Sequence, residues 1–369
     1  MRMNLYNAKL NQIKGSLILM VAGIILVACS HEYDEMEPIR TSDLPEIELS
    51  HLFTLDEPEG IFFERIRFLQ SDSQGRIFVS DQEANHILVY DETGNFITTI
   101  GREGAGPDEF RAILNMFVDE NDQLIVFDMA NNRSVFFREE NGSWQPEEFV
   151  SIEGTRFGVQ TVDKAGNYIV RQSRDQMPEP GAFWFVHVLG TGSLQDGLKD
   201  DDAVEFREMG FLVRDDGMMN GIPFGRTTLL ARGHDGKLHM TWNENFEIAA
   251  YDAKLDPADS IRAAVPNQPV TTEERRERLD GMDQFRSLAS EHMPDTKPVA
   301  EAMWVDRRQN FWLQTHDSPE YLVLDSNGEP IGSFDLEGER RILHVDGDRV
   351  YTMLSDDEGY TLDVFEARY

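Results

Sequence analysis

The chain has 369 residues, of which 34 are lysine or arginine and 68 are aspartate or glutamate, so its formal net charge at pH 7 is −34. A field of this sign repels phosphate backbones and anionic membrane surfaces, which excludes nucleic acid as a partner. Cys29 is the single cysteine, so the chain cannot form an intramolecular disulfide.

Residues 1–28 have the pattern of a bacterial signal peptide. Three basic residues give a positive start without any acidic residue: Arg2, Lys9 and Lys14. Residues 16–28 are apolar, but this run is shorter than the roughly 20 residues that a membrane-spanning helix needs. We therefore expect this segment to serve export and not folding.

Residues 26–29 read Leu-Val-Ala-Cys, which resembles the bacterial lipobox. The resemblance implies that Cys29 becomes the lipidated first residue and attaches the protein to the membrane. An ordinary signal peptide with a chance cysteine is the alternative. Residues 29–45 are predicted to be an acidic tether. Acidic residues behind the cysteine resemble surface-export signals of Bacteroidetes lipoproteins. We expect an outer-membrane lipoprotein of the cell envelope, with surface or periplasmic orientation left open.

The stretch 72–110 contains three β-rich runs separated by short turn clusters, which predicts a small antiparallel meander. Its template is a turn residue, an apolar residue five positions on and a polar residue nine positions on. The template starts again along the chain, at Asp72, Asp119, Asp163, Gly233, Asp306 and Val345. Repeats of about 40–50 residues with several strands indicate a β-propeller. Residues 46–369 are therefore predicted to form an all-β propeller with six blades.

The last repeat, 341–365, leaves no room for a fourth strand before Tyr369. A strand candidate at 47–55 precedes the first full repeat. We expect this N-terminal strand to complete the last blade, because ring closure removes free sheet edges.

The motif at 72–81, Asp-x-x-Gly-x-Ile-x-Val-x-Asp, is followed by Asn-x-Ile-x-Val-Tyr-Asp at 85–91 and by a Gly-x-Gly-Pro-x-x-Phe tail at 104–110. This series resembles an NHL repeat. Together with the lipobox, the chain resembles six-bladed β-propeller lipoproteins of Bacteroidetes. The resemblance covers 66–137 best, and it implies the fold but little chemistry.

In a four-stranded blade, the loop between strands two and three opens on the same face as the connection to the next blade. We expect the ligand site at that mouth, because function concentrates on loops of a rigid scaffold. Eight candidate residues lie in or beside the loops between strands two and three: Asp81, Asn85, Asp128, Asn132, Arg133, Gln172, Trp242 and His316. Their mixture suits a polar small molecule or a glycan. Turn capping by the Asp and Asn residues, or Ca²⁺ binding by their oxygens, are the alternatives.

Residues 266–298 are predicted to be a helical insertion, with one helix at 271–293. Thr271 and Glu274 have the spacing of a capping box, and Pro294 ends the helix. Gly281 weakens its middle by roughly 1 kcal/mol. The helix packs on the rim of the propeller or forms a lid over the channel mouth.

Nine histidines are present, but no His-Glu-x-x-His motif occurs. We expect a lipid-anchored binding or scaffold protein that uses a channel mouth to hold a small molecule, glycan or protein partner. The alternative is a metal-dependent propeller hydrolase or lyase with a divalent cation on the channel axis. Apolar residues predicted for the inner strands, at 116–118, 229–230 and 303–305, favour binding over catalysis.

Overall fold

A computed structural model describes residues 38–151, 158–174, 176–199, 204–258, 260–357 and 359–369. Within these residues the strands form six antiparallel sheets, and five of these sheets have four strands. The chain is a six-bladed β-propeller, as predicted. Residues 1–37, including Cys29, lie outside the described residues.

The first strand is β1 (Glu48–Leu55). Blade 1 contains β2 (Ile66–Ser71), β3 (Ile77–Asp81), β4 (His86–Tyr90) and β5 (Phe96–Ile100). Blade 2 contains β6 (Ile113–Val118), β7 (Leu124–Asp128), β8 (Arg133–Glu140) and β9 (Ser143–Ser151). Blade 3 contains β10 (Val159–Val162), β11 (Asn167–Ser173), β12 (Gly181–Ser193), β13 (Gly197–Leu198), β14 (Val204–Val213) and β15 (Met219–Gly221).

Blade 4 contains β16 (Thr228–Arg232), β17 (Leu238–Trp242), β18 (Glu247–Tyr251) and β19 (Ile261–Arg262). Two helices follow, α1 (Thr272–Asp280) and α2 (Arg286–His292). Blade 5 contains β20 (Ala302–Val305), β21 (Phe311–Gln314), β22 (Tyr321–Leu324) and β23 (Pro330–Phe334). Blade 6 contains β24 (Arg341–Asp346), β25 (Arg349–Asp356) and β26 (Gly359–Arg368), joined by β1. A short 3-10 helix at Thr41–Asp43 precedes β1.

Five of the six repeat starts lie at the turn between the first and second strands of a blade, whereas Val345 lies inside β24. At Asp72, the carboxylate accepts hydrogen bonds from the backbone N–H of Gln74 (3.0 Å) and Arg76 (2.9 Å). The same Asx turn recurs at Asp119 and Asp306. The template therefore marks a local reversal that each blade needs, which explains why it was visible in the sequence.

The apolar cores lie between neighbouring blades. Phe78 and Val89 of blade 1 pack with Met116 and Val126 of blade 2, and all four side chains are buried. Every residue of β3 and β7 is buried. Because each blade covers the face of the next, the blades stack around a central axis with their first strands innermost.

Strand β1 closes the ring by pairing antiparallel with β26, from Glu48 opposite Arg368 to Leu55 opposite Leu362. This confirms the predicted closure. The buried Asp363 carboxylate fastens it, since this group accepts hydrogen bonds from Thr54 Oγ1 (2.5 Å) and Arg340 Nη2 (2.7 Å). The Asp363 side chain thus links β1, the outermost strand of blade 6, to Arg340, which directly precedes the innermost strand β24.

The predicted single helix at 271–293 is wrong, because the chain forms α1 and α2 with a break that begins at Gly281. The capping box is confirmed, with Thr271 Oγ1 accepting from Glu274 N at 3.2 Å and Glu274 Oε2 accepting from Thr271 N at 2.8 Å. Glycine lacks the helix preference needed to carry one helix through this point. Among the described residues, no helix is long and apolar enough to cross a membrane.

The extra length of blade 3 is a strand extension. Strand β12 pairs with β11 only from His187 to Ser193, so residues 181–186 extend beyond the blade and pair with β14. One face of this extension packs against the helical insertion, where Leu212 contacts a cluster containing Phe285 and Ala289. The helices therefore pack against the strand extension of blade 3.

Replacing Asp363 with alanine should destabilise the ring, because Arg340 would lose its buried partner. We expect a loss of about 2–4 kcal/mol in the free energy of unfolding, measured by urea denaturation. The matched control is Glu366→Ala on the same strand, which removes a solvent-exposed pair with Arg368 and should cost under about 0.5 kcal/mol. Equal losses in the two variants would contradict the closure role of Asp363.

Candidate functional site

The two predicted carboxylates at the mouth formed by the loops between strands two and three are buried turn caps. Asp81 accepts hydrogen bonds from the backbone N–H of Glu64 (2.7 Å) and Arg65 (3.0 Å). Asp128 likewise accepts from the backbone N–H of Arg111 and Ala112. Both carboxylates are fully buried. The connections between blades therefore use oxygens of both carboxylates, which is the arrangement that the capping alternative describes.

Three neighbouring candidates, Asn85, Asn132 and Arg133, also serve the backbone conformation of the loops and connections. Asn85 and Asn132 have φ values of 52° and 50°, in the left-handed region that asparagine tolerates better than most residues. Arg133 donates from Nη2 to the carbonyl oxygens of Gly106 (2.6 Å) and Glu109 (2.7 Å). It therefore holds the glycine-rich connection between blades 1 and 2, a role that local sequence reasoning missed.

The remaining three candidates differ in burial. Gln172 pairs with Val188 and Trp242 with Thr228, and both Gln172 and Trp242 are half-buried. His316 is largely buried, with Nδ1 2.9 Å from a Glu301 carboxylate oxygen. It lines a cavity of about 290 Å³.

A second polar region lies inside the channel, near the turns between first and second strands. These turns surround what we call the hairpin mouth. A cavity of about 330 Å³, here the channel cavity, is lined by residues of five blades. Those residues belong to the first strands β2, β6, β16, β20 and β24, or follow them directly. Its polar side chains are Gln70, Arg232, His234 and His344.

Arg232 is the central cation of the channel cavity. Its Nη2 lies 3.3 Å from Gln70 Oε1, its Nη1 lies 3.4 Å from the Gln160 carbonyl oxygen, and its guanidinium stacks on Phe117 at 3.9 Å. No carboxylate oxygen of the described residues lies within 4.0 Å of it. Burial lowers the pKa of Arg232 to about 9, and the charge of Asp119 only partly opposes that shift.

Asp346 neutralises the other guanidinium at the hairpin mouth. Its carboxylate accepts from Arg307 Nε (2.8 Å) and Nη2 (2.9 Å) and from Ser71 Oγ (2.7 Å). Burial of Asp346 opposes ionisation, but the hydrogen bonds from Arg307 and Ser71 help to keep the pKa of this carboxyl below its usual range. The Arg307 charge is therefore already balanced within the protein.

Two histidines complete the channel cavity. The rings of His234 and His344 lie 6.1 Å apart, and His344 Nε2 lies 3.0 Å from Ser71 Oγ. Burial lowers the pKa of both imidazoles, that of His344 to about 3, against the opposing charge of Asp346. Both rings are neutral at pH 7, which leaves Arg232 as the one uncompensated charge among these four polar side chains.

These residues were missed because the inner strands were predicted to be apolar. A signal for them exists in the repeat template. Gln70 and Ser71 come just before the start at Asp72, Arg232 comes before the start at Gly233, and His344 comes before Val345. The position preceding each start is the end of a first strand, where side chains surround the axis at the hairpin mouth.

The described residues provide no set of metal ligands for the alternative of a metal-dependent enzyme. In the part of the chain that the structure describes, no three His, Cys, Asp or Glu side chains are grouped so that they could hold a metal ion.

The fold and the channel cavity define a six-bladed β-propeller with a polar channel. In agreement, the family model DUF5128, described as a 6-bladed beta-propeller, matches residues 32–168. No curated protein matches the chain significantly.

Solved structures are similar over most of the chain. A putative exported protein from Bacteroides fragilis is 12% identical, with 91% of this chain and 98% of that chain covered and a TM-score of 0.53. A member of the DUF4221 family from Bacteroides vulgatus is 12% identical, with 88% and 99% covered and a TM-score of 0.49. Virginiamycin B lyase from Staphylococcus aureus is 10% identical, with 87% and 99% covered and a TM-score of 0.44. At such identities the likeness concerns the fold alone.

The burial of His344 should make stability depend on pH. Unfolded, this histidine protonates near its ordinary pKa of 6.5, whereas in the folded protein it stays neutral down to about 3. The stability it contributes is therefore complete above pH 6.5 and is lost as pH falls. Between pH 7 and pH 5 this loss is about 2 kcal/mol.

Urea denaturation at both pH values tests this expectation. His344→Gln should lose about 2 kcal/mol less over the interval than the unchanged protein does. Leu52→Gln, at an exposed position of β1, changes no titratable group; it serves as the control and should retain the original pH dependence. An unchanged pH dependence in His344→Gln would contradict the buried, neutral state of His344.

Proposed function

We propose that the protein is a lipid-anchored binding protein of the bacterial cell envelope, and that the channel cavity holds its ligand. The observation that carries this proposal is a cavity of about 330 Å³ on the axis of a closed ring. Ligand pockets typically occupy roughly 300–1,000 Å³. Since the lining residues stand on or next to strands of five blades, the cavity is held rigid without loop ordering.

The size and lining of the channel cavity favour a polar small molecule over a glycan chain or a protein. A polymer would contact the rim and mouths, whereas a small molecule can be enclosed by the first strands. Phe68 and Trp304 supply apolar surface, while Gln70 and His234 supply hydrogen-bonding groups. Polar and apolar groups that line the same cavity can together fix the orientation of a bound small molecule.

The proposed anchor is Cys29, in the lipobox-like sequence at 26–29. The similar Bacteroides fragilis structure is that of a putative exported protein, which agrees with export of this chain. Pro38 lies nine residues after Cys29, so the tether can span at most about 30 Å. Beyond it, Ile39 N donates to Ala264 O at 2.8 Å, which attaches the start of the described chain to the residues after blade 4. Lipidation would hold the propeller close to a membrane surface.

Cys29→Ser should release the protein from the membrane fraction, because the lipid has no other attachment point among the cysteines of the chain. The measurement is fractionation of expressing cells followed by immunoblotting, with the thermal unfolding midpoint as a check on the fold. Ser30→Ala is the neighbouring control and should remain with the membrane. Membrane retention of Cys29→Ser would contradict lipid anchoring.

A bulky side chain in the channel cavity should block binding. Leu343 lines the cavity and is only half-buried, so Leu343→Trp can fill space there without crowding a fully packed core. We expect molecules that bind the mature protein in a ligand-observed NMR screen of polar compounds to lose binding by about tenfold or more. Leu52→Trp, at an exposed position of β1, is the control and should bind normally. Undiminished binding by Leu343→Trp would contradict the channel site.

A further inference from the structure

We propose that the channel cavity recognises a small organic monoanion, carrying one carboxylate or one phosphodiester group, through the guanidinium of Arg232. This inference rests on the proposed function and adds the chemical class of the ligand. Planar guanidinium groups bind carboxylate and phosphate oxygens through paired hydrogen bonds, so the two groups share one recognition chemistry.

Arg232 makes no ion pair within 4.0 Å among the described residues. The acid whose charge acts on it, Asp119, is itself buried and accepts hydrogen bonds from the backbone N–H of Asn121 (2.9 Å) and Gln123 (2.8 Å). The Asp119 carboxylate is therefore held by the hydrogen bonds of its own turn. The described contacts of the guanidinium are the two neutral oxygens of Gln70 and Gln160 and the face of Phe117. A buried charge with such partners is costly, and an incoming anion would remove that cost.

The charges in and around the channel cavity favour a ligand with a single negative charge. Arg307 is neutralised by Asp346, and the two histidines of the channel cavity are neutral at pH 7, so one positive charge is available. The hairpin mouth is acidic, with Asp122 and Asp235 among the residues that line it. Since these carboxylates repel additional negative charge, a ligand with two or three charges would be disfavoured.

The apolar residues that line the channel cavity indicate that the ligand also has an apolar organic part. Phe68, Val118, Met303, Trp304 and Leu343 line the same cavity as Arg232. A bare inorganic ion would leave this surface in contact with water. An anion with an apolar or aromatic part would bury the surface and pair with the guanidinium at the same time.

Arg232→Met tests whether the cation is kept for binding or for stability. Methionine has a similar length and no charge, so removing an uncompensated buried cation should leave the urea midpoint unchanged or raise it. Arg207→Met replaces an exposed arginine that lies over Trp184 and serves as the control for loss of a guanidinium at the surface. A midpoint that falls well below that of Arg207→Met would assign Arg232 a structural role and overturn the inference.

Binding is measured by ligand-observed NMR on the mature protein, with benzoate, methyl phenyl phosphate and the neutral benzamide as probes. We expect benzoate or methyl phenyl phosphate to bind at least about tenfold more tightly than benzamide, and the preference to vanish in Arg232→Met. The two monoanions distinguish a carboxylate ligand from a phosphodiester ligand. Acetate and dimethyl phosphate test whether the anionic group alone suffices, and equally tight binding of either would overturn the organic part of the inference.

Ligand binding in the channel cavity and the preference for an anion can be contradicted separately. If benzamide binds as well as the anions, and Leu343→Trp blocks all of them, the channel remains a binding site and the anion inference is wrong. If Arg232→Met retains the anion preference, Arg232 is not the recognising group. If none of the probes and no polar compound of the wider screen binds in a manner that Leu343→Trp blocks, the proposed function fails together with the inference.

Discussion

The pairing of β1 with β26 is the constraint on which the rest of the molecule depends. Each blade buries its faces only against its neighbours, so an open ring would expose the cores on both sides of the gap. The N-terminal strand removes that gap, and Asp363 fastens it through Thr54 and Arg340. Closure also fixes the six first strands around one axis, so residues far apart in sequence meet at the hairpin mouth.

That meeting creates the electrostatic feature of the channel. Arg307 and Asp346 form a balanced pair, whereas Arg232 lies between neutral oxygens and the ring of Phe117. Burying an unpaired cation opposes folding, and well-packed apolar residues could replace it at no loss of stability. The neutral, buried imidazoles of His234 and His344 keep the charge of the channel cavity at a single positive unit near pH 7. Binding an anion is a physical reason for retaining such an arrangement.

The fold could be predicted because its main signals are local. Asp72 caps N–H groups two and four residues ahead, and this spacing recurs at Asp119, Asp163 and Asp306 in three other blades. The site could not be predicted in the same way. Asp81 reads as a free carboxylate until the fold brings the N–H groups of Glu64 and Arg65 to it. Arg232 and His344 share a cavity only because the ring closes, and no local sequence pattern shows that these two residues lie close together.

A crystal structure of the mature protein soaked with 4-bromobenzoate tests the central claim most directly, because bromine can be located by its anomalous scattering without interpretation of the rest of the map. The account predicts a bromine peak inside the channel cavity, with the carboxylate against Arg232 and the ring among Phe68, Trp304 and Leu343. A second, larger cavity of about 1000 Å³ lies in an outer groove that residues of β1 and β23 line. A bromine peak confined to that groove, or a carboxylate bound without contact to Arg232, would contradict the account.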